Sequence, residues 1–195
     1  MDEIEHHCYS FETFHDTVVY YNKDTNMNIE ERVRKAKRLF KEDGYNCCQA
    51  VVLAYNDLFG IDDKTAAAMS SGFGGGMGRM REVCGSVSGM VMLAGLIAPA
   101  ADPSVKVERT RNYALVQDMA GEFKKVNGSI VCRELLGLVP MGSPENAPAE
   151  SPEPSDRTAE YYKKRPCEEL VGISARIIGE QILRFALDDR EKNSK

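Results

Sequence analysis

Four cysteines, Cys47, Cys84, Cys132 and Cys167, each fall in the first turn of a segment that the sequence predicts to be helical. A helix N-terminus is electropositive, because its first backbone N–H groups are unpaired and its peptide dipoles add. We expect this environment to lower the pKa of a thiol and to favour the thiolate, which attacks disulfides and binds metals. Four such cysteines on separate helices predict a shared sulfur site for redox chemistry or a metal cluster.

The spacing of these cysteines excludes several familiar sites. No Cys-x-x-Cys pair occurs, so zinc ribbons, thioredoxin-like motifs and common ferredoxin patterns do not fit. Dispersed cysteines can still hold a 2Fe–2S cluster with a pair of thiolates on each iron. A closed zinc site and two redox disulfides are the alternatives. A purely structural role is also open, because free cysteine packs well in cores, and this role suits Cys8 and Cys48 best.

The composition indicates one soluble domain. The chain has 195 residues, of which 43% are hydrophobic and 28% charged. The net charge is −5 and no basic stripe stands out, which argues against nucleic-acid binding. The N-terminal residues are acidic and lack the apolar stretch of a secretory signal, so we expect a cytoplasmic protein. Clustered cysteines in that compartment more often bind metal or do redox work than form structural disulfides.

An uncharged segment, residues 83–101, raises the question of a membrane span. Its apolar part, Val87 to Ala101, is short for the ~20 residues that a bilayer requires. We therefore predict a fully buried central helix over Val87 to Ala98 and no membrane association.

Capping residues predict the other helices. Asn28 precedes a helix from Ile29 to Glu42, and Asn46 with Gln49 forms a capping box before the next one. Asp102 and Pro103 predict the start of a long helix that ends at Asn127. Further helices are predicted over Asp63–Ser70, after Ser129 and from Cys167 onward. Because no segment shows sustained period-two alternation, we predict an all-α fold, a compact multi-helix bundle with a central apolar helix.

A glycine-rich segment, Gly72 to Gly78, lies between two predicted helices. A dinucleotide-binding loop would follow a strand, so we interpret the segment as a positive-φ loop whose backbone approaches a neighbouring helix or a cofactor. The candidate backbone contacts to a cofactor are Gly74, Gly75, Gly76 and Gly85. Arg79 and Arg81, which follow the loop, are predicted to be solvated.

The predicted organisation is an N-terminal extension (1–28), one helical four-cysteine domain (29–187) and a charged tail (188–195). Within the domain, residues 139–158 contain five prolines among Ser, Glu and Ala. Such a segment cannot form a continuous helix and is predicted to be a surface loop. Because it joins two cysteine-bearing helices, we expect it to cover the cysteine site as a lid.

Three motifs carry a resemblance to a known family. They are Gly-Tyr-Asn-Cys-Cys-Gln-Ala-Val (44–51), the glycine-rich segment and Cys-Gly-Ser-Val-Ser-Gly (84–89), followed by the two later cysteines. This ordered set resembles the C_GCAxxG_C_C family of redox-active proteins. The resemblance implies a small helical protein with Cys47, Cys84, Cys132 and Cys167 as its functional centre. Ser86 stands where the family core has alanine, and we expect this small-for-small change not to disturb the site.

Two functional classes remain open at this level. In the first, the protein is an electron-transfer or redox enzyme whose four cysteines hold a 2Fe–2S cluster or another metal and which meets an electron-transfer partner. In the second, it is a thiol–disulfide protein or a sensor module that responds to oxidation or metal. The sequence leaves open the identity of the partner, and a homodimer is one option for assembly.

Overall fold

The computed structural model describes residues 27–145, 151–163 and 165–193 of the chain. Eight α-helices lie in this part of the chain, together with two short 3-10 turns, and no β-sheet forms within it. The helices are α1 (Ile29–Lys41), α2 (Cys47–Leu53), α3 (Asp63–Ser70), α4 (Gly85–Ile97), α5 (Lys106–Asn127), α6 (Cys132–Leu135), α7 (Ala159–Lys163) and α8 (Cys167–Asn193). The predicted all-α fold is therefore confirmed.

The predicted capping residues begin the first two helices. The Asn28 side chain accepts a hydrogen bond from the backbone N–H of Glu31 at 3.2 Å. The Asn46 side chain accepts from the backbone N–H groups of Cys48 and Gln49, and the Gln49 side chain accepts from the Asn46 N–H at 3.0 Å. This reciprocal capping box fixes the start of α2, and with it the position of Cys47.

Helices α4 and α8 form the centre of the bundle. Helix α8 packs against α1, α2, α4 and α5, while α4 packs against α2, α5 and α8. Tyr55, at the end of α2, is buried and donates a hydrogen bond from its hydroxyl to the Ala175 carbonyl at 2.7 Å. This bond satisfies the phenol inside the core and ties α2 to α8.

The central apolar helix is only partly buried. Residues Gly85 to Met90, Leu93 and Ala94 of α4 are buried. Val91 is 40% exposed and Gly95 is also exposed, so the prediction of full burial is wrong for the second half of the helix. The neighbouring helices therefore leave part of the surface of α4 exposed to solvent there. Among the described residues, no helix has the length and apolar character needed to cross a bilayer.

Several boundaries differ from the sequence predictions. The Asp102 side chain accepts from the Ser104 N–H at 2.8 Å and stabilises a turn, so α5 begins only at Lys106. Helix α7 was not predicted. Helix α8 continues to Asn193, into the segment predicted as a charged tail. The predicted N-terminal extension, with Cys8, lies outside the described residues except for its last two positions.

The proline-rich segment connects α6 to α7. Its described residues, 139–145 and 151–158, contain no helix or strand and are mostly exposed; we call these residues the strap. Arg79 donates to the Ser151 carbonyl at 2.9 Å. Arg157 donates to the carbonyls of Phe40 and Tyr45 at 2.9 and 2.8 Å. Hydrogen bonds therefore hold the second part of the strap, residues 151–158, near each of its ends.

Candidate functional site

Cys47 lies where the starts of α2 and α4 meet. A Cβ atom at Gly85, the first residue of α4, would overlap the Cys47 Sγ and would lie 2.7 Å from the Phe73 carbonyl oxygen. Only glycine allows the two helix starts to approach this closely. Gly85 thus contacts a site cysteine directly. The sequence assigned it to cofactor contact.

Cys84 and Cys132 are held by a short antiparallel pairing of two connecting segments. The Cys84 N–H donates to the Ile130 carbonyl at 2.8 Å, and the Cys132 N–H donates to the Glu82 carbonyl at 2.6 Å. Val83 and Val131 form an isolated β-bridge between these bonds. The pairing fixes two buried cysteines by their backbones, and each is the first or the capping residue of its helix.

The glycine-rich segment forms a left-handed turn beside Cys132. All residues from Gly75 to Arg79, and Arg81, have positive φ angles, including the non-glycine residue Met77 at 58°. Such backbone is strained for residues other than glycine and tends to occur at functional sites. A Cβ atom at Gly76 would lie 2.7 Å from the Cβ of Cys132. The predicted positive-φ loop is confirmed, and its backbone approaches α6.

The four candidate glycines therefore have separate surroundings. A Cβ atom at Gly74 would lie 2.8 Å from the Asn46 side chain, which caps α2. Gly76 and Gly85 face Cys132 and Cys47. Of the four, only Gly75 lines the cavity described next.

All four family cysteines line one small cavity of about 50 Å³, which we call the cysteine cavity. Cys84 and Cys132 are buried, whereas Cys47 and Cys167 are half-buried. The other lining residues are three arginines (Arg81, Arg157 and Arg165), Asn46, Tyr161, Gly75 and apolar residues. No aspartate or glutamate of the described residues lines it. The structure thus gathers cysteines that are far apart in sequence around one space.

Cys48 has a different environment. It is fully buried, does not line the cysteine cavity, and its Sγ lies 3.8 Å from the Sδ of Met92. These contacts agree with the structural role that the sequence favoured for this residue.

Burial decides the protonation of three of the site thiols. Loss of solvent, followed by the charge of Cys47, raises the pKa of Cys84 and of Cys132, and the same causes raise the pKa of Cys167 to about 12. The prediction that helix starts lower these pKa values is therefore wrong for the three residues. A buried thiolate here requires a compensating cation, either a bound metal or an arginine.

Two polar groups act in the opposite direction. Arg81 is only 3% exposed, and its positive charge and its hydrogen bond to Cys132 lower the pKa of that thiol. The Ser86 Oγ lies 3.3 Å from the Cys84 Sγ and lowers the pKa of Cys84. The sequence predicted a solvated Arg81, which is wrong, because this side chain is buried. The expectation that Ser86 leaves the site undisturbed stays a prediction, and the structure adds that this side chain contacts a site sulfur.

Sequence reasoning missed Arg157, Tyr161 and Arg165. The short distance from Arg165 to Cys167 was a signal for one of them, but nothing in the sequence links Arg157 or Tyr161 to the cysteines. Conversely, the acids near the cysteines do not line the cavity. Glu168 pairs with Lys41 at 2.8 Å and Glu169 with Lys37 at 2.7 Å on the surface.

The cysteines are all free thiols in the described part of the chain. Within that part, no three His, Cys, Asp or Glu side chains are arranged around a point where one metal ion would bind. The donor set suits a sulfur-ligated metal. In this conformation, however, the thiols do not converge on a single ion.

Comparison with known proteins gives one family. The sequence model described as "Putative redox-active protein (C_GCAxxG_C_C)" matches residues 45–181, which contain the four cysteines and the glycine-rich segment. Searches of curated proteins and of solved structures found no match to the chain. Since the match covers more than half of the sequence, the chain belongs to the C_GCAxxG_C_C family of redox-active proteins.

Proposed function

We propose that Cys47, Cys84, Cys132 and Cys167 together form the redox centre of this protein. The observation that carries the proposal is their common position around one cavity, to which arginines also contribute. Arginine charge near sulfur stabilises the anionic forms that redox chemistry and metal binding require. Three of these thiols are otherwise kept neutral by burial.

In the first form of the proposal, the four thiolates hold a 2Fe–2S cluster or another metal and the protein transfers electrons to a partner. The donor set fits, since four cysteines are the usual ligands of such clusters. The metal would supply one-electron chemistry. The chain would supply ligands, exclude water from the buried sulfurs and offset negative charge through Arg81, which hydrogen-bonds to Cys132.

The second form is thiol–disulfide exchange, and the free thiols that line one cavity in the described part of the chain support it. One thiolate attacks a substrate disulfide, forms a mixed disulfide and releases the first substrate thiol. A second cysteine then attacks the mixed disulfide, forms a protein disulfide and releases the second substrate thiol. Two electrons pass from the protein dithiol to the substrate, and the two protons of the dithiol are taken up by the products.

The test is anaerobic purification followed by iron, zinc and sulfide analysis, an absorbance spectrum, a redox titration and thiol counting. We expect either a sulfur-ligated metal or a reversible change of two thiols per disulfide formed. Serine substitution of any of the four cysteines should abolish that metal or that change.

Cys48→Ser is the matched control, because Cys48 is adjacent to Cys47 but does not line the cysteine cavity. This variant should retain the wild-type behaviour. A wild-type protein with no bound metal and no reversible change in thiol count would refute both forms. An essential Cys48 with a dispensable Cys47 would refute the assignment at that position.

A further inference from the structure

We propose that a groove beside the cysteine cavity binds a small organic disulfide that carries a negative charge. We call it the outer groove; its lining residues are Leu136, Leu138, Thr158, Glu160, Tyr161 and Arg165. The inference rests on the thiol–disulfide form of the proposed function. It adds the substrate class and the residues that select it.

The outer groove and the cysteine cavity share a wall. Leu136, Tyr161 and Arg165 line both spaces. These three side chains therefore border both the groove and the space that contains the cysteines. Cys167, which follows Arg165 by two positions, is half-buried and lines the inner space.

The sizes of the two spaces suggest how a ligand would lie. The outer groove has a volume of about 360 Å³, within the ~300–1,000 Å³ range typical of small-molecule sites. The cysteine cavity, at about 50 Å³, admits only a few atoms. The body of a ligand would thus occupy the groove while its sulfur reaches the cysteines. A folded protein substrate does not match this division.

The chemistry of the groove defines the ligand further. Leu136, Leu138 and the Tyr161 ring provide apolar contact, and Leu138 is 44% exposed. The Arg165 guanidinium lies over the Tyr161 ring, 4.7 Å from its centroid, which fixes the cation at the shared wall. A carboxylate on the ligand complements this cation. Glu160 lines the same groove and opposes an anion, so the two residues make opposite contributions.

The reaction follows the exchange written above for the dithiol. The substrate disulfide bond breaks and a protein disulfide forms, with two electrons passing to the substrate sulfurs. The released thiols carry the negative group of the substrate. Arg165 is a positioning residue in this scheme, because it binds the ligand and does not react.

The experiment compares two disulfide probes on the reduced full-length protein, kept anaerobic with a chelator. One probe, dithiobis(nitrobenzoate), is anionic, and the other, dithiodipyridine, is neutral. The measured quantity is the ratio of their rates with the native protein, divided by the same ratio for the urea-unfolded protein. This division removes the intrinsic difference between the reagents.

We expect the native protein to favour the anionic probe. Arg165→Gln should lower the normalised ratio by about fivefold, the effect of one exposed charge at contact distance. Glu160→Gln should raise it by a smaller factor. Leu138→Ala should slow both probes and leave the ratio unchanged. Arg109→Gln is the control, because Arg109 is an exposed arginine on α5 that does not line the groove.

The outcomes separate this inference from the proposed function. The thiols could react in the native protein while neither Arg165→Gln nor Glu160→Gln changes the normalised ratio of the two probe rates. That result would refute ligand binding in the groove and leave the proposed redox centre intact. If Cys47→Ser and Cys167→Ser both leave the reaction rate of each probe unchanged, the proposed redox centre itself is refuted. Circular dichroism melts of each variant exclude misfolding as the cause.

Discussion

The helical core and the cysteine end of the molecule are built in different ways. In the core, regular helices bury apolar side chains such as Met90, Leu93 and Ile178. At the cysteine end, a left-handed turn, a two-segment bridge and the strap surround polar and sulfur atoms. Among the described residues, positive φ angles at residues other than glycine occur only at the cysteine end, at Met77, Arg79 and Arg81. Stability should therefore depend mainly on the core, and chemistry on the irregular backbone.

The largest expected effect is in the core. Leu93 is completely buried in α4, and Leu93→Ala should lower the free energy of unfolding by about 2–5 kcal/mol, because it leaves a cavity. Leu96→Ala should have a smaller effect, since Leu96 is half-buried. The measurement is urea denaturation. Leu138→Ala is the control, because Leu138 is exposed and its substitution should lower the free energy of unfolding by about 0.5 kcal/mol or less. Equal midpoints for the three variants would show that α4 is not the centre of the core.

The next effect concerns the left-handed turn. Gly76→Ala combines positive φ with a Cβ too close to Cys132, and should cost about 2–4 kcal/mol. Gly78 has a similar φ angle, but a Cβ atom there would meet nothing closer than the Gly72 carbonyl oxygen at 3.9 Å. Gly78→Ala therefore measures the cost of the backbone conformation alone, about 1–2 kcal/mol in the free energy of unfolding. Thiol-modification rates in both variants check the second consequence, which is that only Gly76→Ala alters the reactivity of Cys132. Identical behaviour of the two variants would contradict the close contact.

A local effect is expected in the strap. Arg157→Gln removes two hydrogen bonds to carbonyls and the guanidinium that lies 5.0 Å from the Phe40 ring centroid. Cleavage by a glutamate-specific protease at Glu145 and Glu153 should become about fivefold faster, with little change in global unfolding. Arg109→Gln again serves as the control. If cleavage stays at the wild-type rate, Arg157 does not hold the strap, and the expectation of a lid loses its support.

The smallest effect is expected at the surface. Glu169 accepts from Lys37 and its side chain is 69% exposed. Glu169→Gln should change the free energy of unfolding by less than about 0.5 kcal/mol, because solvent screens the pair. Thermal denaturation of this variant and of the wild type at low and high salt measures the contribution of the ion pair. A loss comparable with that of Leu93→Ala would mean that this end of α8 contributes more to stability than the comparison of the two regions implies.

The sequence predicted most of the fold because its signals are local. Asn28, Asn46 and Gln49 determine where α1 and α2 begin through hydrogen bonds to residues two or three positions away. The start of α5 was misplaced for a related reason. Asp102 has a capping side chain, but it stabilises a turn with Ser104 and no helix follows at once.

The cysteines themselves were identifiable from type, order and position at helix starts, and the resemblance to the family set Cys48 apart as an extra thiol. The direction in which the pKa of three site thiols shifts could not be predicted from the sequence, because it depends on how much protein surrounds each sulfur. Helix-start electrostatics is a local term, whereas desolvation is a property of the assembled bundle. For these three thiols burial is the largest cause of the shift, and their pKa values are raised.

Most of the helices, the all-α class and the four cysteines that define the family could thus be predicted from the sequence. Only the packed structure formed the cavity around these cysteines, buried Arg81 against Cys132 and brought Arg157 of the strap and Tyr161 of α7 to the same wall. The physical reason is the distance along the chain over which each kind of interaction acts. Capping and periodicity act within a few residues, while the contacts that build the cavity join segments that are distant in the chain and meet only after the helices have packed.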